Sequence, residues 1–209
     1  MNTGKIRVGL IGASPDRGWA ASAHIPALRA LPQFELAAVC TTRLESAQAT
    51  AAKFAIPLAF ADWRQLMDRR NIDLIIVTVK VPAHRALVLA ALDAGKHMFC
   101  EWPLALDSAA AAGMLEHARR AGVHHMVGVQ GRAHPALNHV RDLVRAGHIG
   151  RLISCSLVSS LASWGPKLPP SEAYRADRAN GATGLTVPGG TRSTRSATAS
   201  ATSHRSAQW

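Results

Sequence analysis

Five short apolar runs, at 5–12, 34–40, 72–79, 97–101 and 124–130, alternate with longer Ala- and Leu-rich segments over the first 150 residues. None of the runs shows the polar alternation of a strand with one wet face, so each predicts a strand buried on both sides. The intervening segments, 19–31, 44–55, 61–70, 83–95, 107–122 and 134–150, read as helices. Most of them are long enough to carry the chain back across a sheet. Strands with two apolar faces joined by helical crossovers imply an α/β fold, a doubly wound parallel sheet of Rossmann type. The stops agree with this reading: Gly95 closes one helix, and Asp107 or Ser108 caps the start of another.

Beyond residue 150 the pattern changes. The stretch 152–160, LISCSLVSS, predicts one more strand, opening a second sheet that the remaining chain cannot complete. Residues 191–209 hold no Leu, Ile, Val or Phe. Such a segment has too little apolar area to offset its ordering entropy and predicts a disordered basic tail. The expected organisation is a Rossmann domain over 1–130, the start of an incomplete α+β domain over 131–190, and the tail over 191–209. A truncated or frame-shifted gene product is the expected origin of that ending.

Other features limit the setting. No apolar run approaches the roughly 20 residues of a membrane span. The opening MNTGKIRVGLIG enters a strand at once and lacks the three-part layout of a secretory leader. Cys40, Cys100 and Cys155 are far apart, odd in number and set among apolar residues. They read as reduced thiols of a cytoplasmic protein. The formal charge is +11, but residues 1–150 spread 17 Lys/Arg and 11 Asp/Glu along their length. Without a basic stripe or a set of aromatics, direct nucleic-acid binding is not expected.

Ligands of such sheets bind beyond the carboxyl ends of the strands. There the sequence collects its Gly, Pro and polar residues: GLIGASPDRGW, CTTR, TVKVPAH, EWP and VQGR. The first is a Gly-rich turn from strand to helix that suits a pyrophosphate on backbone N–H groups. Its spacing departs from G-x-G-x-x-G, because Ser14 holds the second glycine's place and Gly18 falls one residue late. A plain turn glycine is the competing reading of Gly12. CTTR lacks the acid that would hold a ribose 2′-hydroxyl, whereas Thr41, Thr42 and Arg43 suit a 2′-phosphate. That chemistry favours NADP over NAD, although Arg43 serves equally as a solvated residue opening a helix.

Among the histidines, His84 is the better site candidate, since VPAH lies at a strand end. His24 sits within a helix, where a lone histidine is more often structural. His124, His125, His134 and His139 lack a converging Cys or carboxylate set, so no metal is assigned. Gln130 and Arg132 follow a strand and can orient a ligand, Arg132 equally well as a solvated charge. The expected cofactor residues are Gly12, Ala13, Ser14, Gly18, Trp19, Thr41, Thr42, Arg43, Val79, His84, Glu101, Trp102, Pro103 and Gln130. No catalytic residue is assigned.

The segments VGLIG, HIPAL, AGKHMFCEWPLAL, VQGR and AGHIGRLIS together resemble the Gfo/Idh/MocA oxidoreductases, over about residues 5–190. GASPDRGWAASAHIPAL and EWPLA resemble the branch that holds the fungal galactose-regulon repressor. The resemblance implies a Rossmann domain followed by an α/β domain with an open sheet. It also implies oxidation or reduction of a sugar, polyol or related small molecule with NAD(P), and a homo-oligomer or protein partner. The family's Glu-Lys-Pro motif supplies a lysine at the position of Trp102. An indole carries no charge and moves no proton, but it can stack on a nicotinamide or sugar face or simply plug the crevice. Glu101 is then expected to position the cofactor. A non-catalytic dinucleotide- or sugar-sensing regulator and an inactive fragment are the alternatives.

Overall fold

The computed structural model describes residues 4–154, 156, 158 and 167–191. The chain divides into two compact units, Met1–Val127 and Gly128–Trp209. The first is built on a six-stranded sheet: β1 (Ile6–Ile11), β2 (Phe34–Cys40), β3 (Leu58–Phe60), β4 (Leu74–Val77), β5 (His97–Glu101) and β6 (His125–Gly128). The spatial order is β3-β2-β1-β4-β5-β6. β1 pairs in parallel with both β2 and β4, β2 with β3, and β4 with β5. From β1 the chain winds outward to β3, then crosses back to β4 on the other side of β1. The direction of winding therefore reverses between β1 and β4, which opens a crevice at their carboxyl ends.

Five helices lie between these strands: α1 (Ile25–Ala30), α2 (Leu44–Lys53), α3 (Trp63–Met67), α4 (His84–Asp93) and α5 (Ser108–Ala121). Two apolar layers account for the missing polar alternation. Val8, Leu10, Val39 and Ile76 pack with Ile25 and Leu28 of α1 and Ala51 of α2. Ile11, Ile75, Val77, Met98 and Cys100 pack with Leu66 of α3, Leu87 and Val88 of α4, and Met114 of α5. Neighbouring residues of one strand, such as Leu10 and Ile11, thus enter opposite layers, as the pleat requires. Each large side chain so buried contributes about 1.5–3 kcal/mol, which makes strand register hard to shift.

Several elements differ in extent from the sequence expectation. The helix expected over 19–31 begins as a widened turn, Ala20–His24, in which the Ile25 N–H donates to Ala20 O. Pro26, at the start of α1, has no N–H with which to close a normal turn onto Ser22. The strand expected over 72–79 ends at Val77; Thr78 closes the ladder there, its N–H and hydroxyl both donating to Ile11 O at 2.9 Å. β3 was not expected, being only three residues long. Asp62 caps α3 by accepting from the Arg64 N–H at 2.9 Å. Of the two proposed caps for α5, Asp107 is the one used, accepting from the Ala110 N–H at 2.7 Å. Gly95 and Gly122, with φ of +66° and +65°, stop α4 and α5.

The amino end of the sheet is closed by charge pairing. Arg7 donates to Asp73 through its backbone N–H, Nε and Nη2 at 2.8–3.0 Å. These bonds hold the Asp73 carboxyl below its ordinary range, against some opposition from burial. Lys96 is buried and its Nζ donates to Arg69 O and Ile72 O at 2.8 and 2.9 Å. Burial lowers its pKa, an effect partly offset by the nearby Asp73.

The second unit contains a 3-10 turn (Gln130–Ala133), α6 (Pro135–Arg145), two further 3-10 segments (Pro170–Ala176 and Arg178–Asn180) and a wide turn (Leu185–Gly189). No residue of α6 is buried. Of the strand expected over 152–160, the described residues 152–154, 156 and 158 belong to no regular element. Its remainder, Cys155 included, lies outside the described residues, as does the expected tail apart from Thr191. Among the described residues no helix is long and apolar enough to cross a membrane.

Candidate functional site

The crevice is shaped first by Gly12, the residue that follows β1. Its N–H donates to Cys40 O at 2.9 Å, tying the turn to the end of β2. Its φ is +100°, and a Cβ there would lie 2.6 Å from Val79 Cγ1 and 3.0 Å from the backbone of Thr78 and Val79. Glycine is therefore required by both conformation and space. Gly18 has φ +91°, but a Cβ on it would meet nothing within 4 Å, so conformation alone selects glycine there. Between the two, Ala13 is buried and Ser14 half-buried, while Trp19 is 52% exposed.

At the end of β2 the three candidates separate. Thr41 Oγ1 donates to Arg43 O at 2.8 Å and accepts from the Arg43 N–H at 3.4 Å. Its hydroxyl hydrogen thus shapes the turn into α2. Thr42 and Arg43 are exposed. Thr41 itself is half-buried.

His84 likewise bonds to backbone. It is 1% exposed, with Nδ1 2.9 Å from Pro103 O and Nε2 2.9 Å from Val79 O. The ring braces the exit of β4 against the exit of β5, and both its nitrogens are used in doing so. His84 thus stands as an internal brace beneath the crevice.

β5 ends at Glu101, followed by Trp102, 36% exposed, and Pro103, joined to it by a cis peptide bond. The histidine that meets this strand end is His24, which the sequence reading ranked below His84. Its Nε2 lies 2.6 Å from Glu101 Oε1, and the two side chains are 12% and 15% exposed. The ring stands edge-on to Phe99, with centroids 5.2 Å apart. The sequence signal for this pair was the Pro26 two residues after His24, which creates the wide turn. Its meeting with a carboxylate 77 positions away was not legible.

Cys40 and Cys100 are free and buried. Burial, with a smaller contribution from Asp62, pushes the Cys40 thiol up to about 11, and burial also raises Cys100. Neither is a nucleophile at neutral pH. Gln130 and Arg132 belong to the 3-10 turn of the second unit, and both are exposed. Among the described residues no group of three or more His, Cys, Asp or Glu side chains is arranged to hold a metal ion.

The residues present fit a dinucleotide. The sheet reverses its winding between β1 and β4, a glycine turn of positive φ begins there, and Thr42 and Arg43 stand exposed at the next strand end. Comparison with known proteins agrees. The GFO_IDH_MocA family model, described as an oxidoreductase family with an NAD-binding Rossmann fold, matches residues 6–129. Dehydrogenase aclE of Aspergillus oryzae is 31% identical over 192 residues, covering 89% of this chain and 52% of that protein. The galactose/lactose metabolism regulatory protein GAL80 of Saccharomyces cerevisiae is 28% identical over 177 residues, or 80% of this chain and 41% of that one. The crystal structure of a super-repressor mutant of Gal80p superposes with a TM-score of 0.85 at 26% identity, over 95% of this chain and 54% of that one. KijD10, a 3-ketoreductase from Actinomadura kijaniata in complex with TDP-benzene and NADP, gives a TM-score of 0.63 at 29% identity, over 68% and 44%. The chain spans about half the length of the curated relatives it matches.

Proposed function

The chain belongs to the Gfo/Idh/MocA oxidoreductase family, with its NAD-binding Rossmann fold, and on that premise we propose that it binds NADP or NAD to oxidise or reduce a sugar, polyol or related small molecule. The observation that carries this reading is the convergence of the Gly12 turn, Val79 and the Glu101-Trp102-Pro103 strand end on the β1/β4 side of one sheet. The cofactor supplies the hydride chemistry when bound.

The chain's own residues supply position. The turn from Gly12 through Ala13 and Ser14 to Gly18 and Trp19 lies along the pyrophosphate, with backbone N–H groups as donors. Thr42 and Arg43 take the 2′-phosphate, which favours NADP; Thr41 shapes their turn. Val79 walls the crevice beside Gly12, braced by His84. Glu101, Trp102 and Pro103 complete the cofactor set of this unit, with the Trp102 indole stacking on the nicotinamide or substrate face. The domain reading remains 1–130 for the cofactor and 131–190 for the start of the substrate domain. Buried, unreactive thiols at Cys40 and Cys100 suit a cytoplasmic setting.

A second reading has its own support. Trp102 stands where the family resemblance implies a lysine, and an indole neither gives nor takes a proton at neutral pH. Together with the likeness to GAL80, this favours a dinucleotide-dependent regulator acting through a protein partner.

Titration of the protein with NADPH and NADH, followed by intrinsic Trp fluorescence, separates the readings once a sugar panel is added and nicotinamide absorbance is monitored. Saturable quenching with turnover supports the enzyme, and quenching alone supports the regulator. An absence of saturable binding would remove both. Arg43→Ala is expected to weaken NADPH about tenfold while leaving NADH nearly unchanged, consistent with loss of one charge-assisted contact.

A further inference from the structure

His24 and Glu101 are two ionisable side chains brought together from the two lips of the crevice. His24 closes the wide turn that follows the glycine loop, and Glu101 is the last residue of β5. The turn is wide because Pro26 cannot donate, so the Ile25 N–H reaches back five residues to Ala20 O. His24 Nε2 then lies 2.6 Å from Glu101 Oε1, with both side chains mostly out of water. Phe99, two residues before Glu101 on the same strand, meets the imidazole edge-on at an interplanar angle of 78°. Ring and carboxylate are thus held by one strand, and the ring's own backbone belongs to the glycine loop's helix.

We propose that His24 is a positioning residue. By donating from Nε2 to Oε1 it fixes the orientation of the Glu101 carboxylate beside Trp102, and so sets how tightly the crevice holds a nicotinamide dinucleotide. This role rests on the dinucleotide reading given above. The energy lies in the charge-assisted hydrogen bond, since such bonds are stronger than neutral ones. The contact with Phe99 serves to hold the ring in place.

Two replacements separate these contributions. His24→Phe keeps an aromatic ring against Phe99 and removes the donor. His24→Gln keeps a donor and removes the ring. Fluorescence titration with NADPH is expected to show about tenfold weaker binding for His24→Phe, the loss corresponding to one charge-assisted bond. His24→Gln is expected to recover most of that loss. Glu101→Gln should weaken binding, and His24→Phe added to it should cause little further loss, because the amide already removes the charge that gives the bond most of its strength. Should His24→Phe fail to fold, judged by circular dichroism, His24→Leu takes its place alone and on the Glu101→Gln background, since it too removes the donor.

Wild-type affinity in His24→Phe, equal weakness of the Phe and Gln variants, or additive losses in the double variant would each overturn the positioning role while leaving dinucleotide binding in place. An unmutated chain that bound neither NADPH nor NADH would overturn the dinucleotide reading and this role with it.

Discussion

The two ends of the sheet carry similar inventories of polar side chains and use them in opposite ways. At the amino end, Arg7 and Asp73 answer each other with three hydrogen bonds, and Lys96 is consumed by the carbonyls of Arg69 and Ile72. At the carboxyl end, His84 and Thr41 are likewise turned inward, onto backbone. Above them, however, Trp102, Thr42, Arg43 and Trp19 remain open to solvent in part or in full. One end is a closed ledger of charges that stabilises the sheet. The other is a braced rim, and bracing is what allows a polar rim to hold a fixed shape while it waits for a ligand. The β1/β4 crossover explains why the asymmetry falls this way, since it leaves room only beyond the carboxyl ends.

The strongest way to break this contrast is at Gly12. Gly12→Ala places a methyl against Val79 and against backbone that cannot yield, at a φ of +100°. It is expected to cost on the order of 2–4 kcal/mol in urea denaturation and to abolish dinucleotide binding. Gly18→Ala, with open space around its Cβ, is the control and should cost only about 1 kcal/mol. Equal effects at the two glycines would show that the crowding at Val79 does not govern the rim.

His84→Leu comes next. It fills most of the volume but leaves the carbonyls of Val79 and Pro103 buried without their donor. The expected cost is about 2–3 kcal/mol, with a shift in Trp102 emission measured against Trp102→Phe. A neutral outcome would mean that the brace does not join the β4 and β5 exits.

The smallest effect belongs to the amino end. The Asp73 carboxyl is held below its ordinary 3.8 mainly by the Arg7 hydrogen bond. A depressed carboxylate adds stability that is present above the unfolded value and is lost as pH falls through the folded value. Asp73→Asn should therefore lower the urea midpoint modestly at neutral pH and flatten its fall on acidification below 3.8. Both ion-pair partners are about one-third exposed, so solvent screening keeps the change small. Dinucleotide affinity should not move; a change in it would mean that the two ends are coupled.

The sheet was legible in the sequence because its strands are apolar on both faces, a pattern that few other structures tolerate. β2 emerged with the limits expected of it, 34–40. β3 did not, since three residues give periodicity nothing to work on. The rim was legible as a set of positions: GASPDRG, TTR, VPAH and EWP all fall at strand ends. Their individual tasks were not. Sequence ranked His84 above His24 because VPAH lies at a strand end, yet packing placed His84 beneath the rim and brought His24 to Glu101.

By itself, then, the sequence determined the doubly wound class, the glycine turn and the location of the crevice, because these follow from local pattern and chain direction. Only the tertiary structure decided which polar groups face inward and which outward. Partner choice across 66 residues, as for Arg7 and Asp73, or 77, as for His24 and Glu101, depends on register and on the exit angle of each turn. Neither is written in any one stretch of the chain.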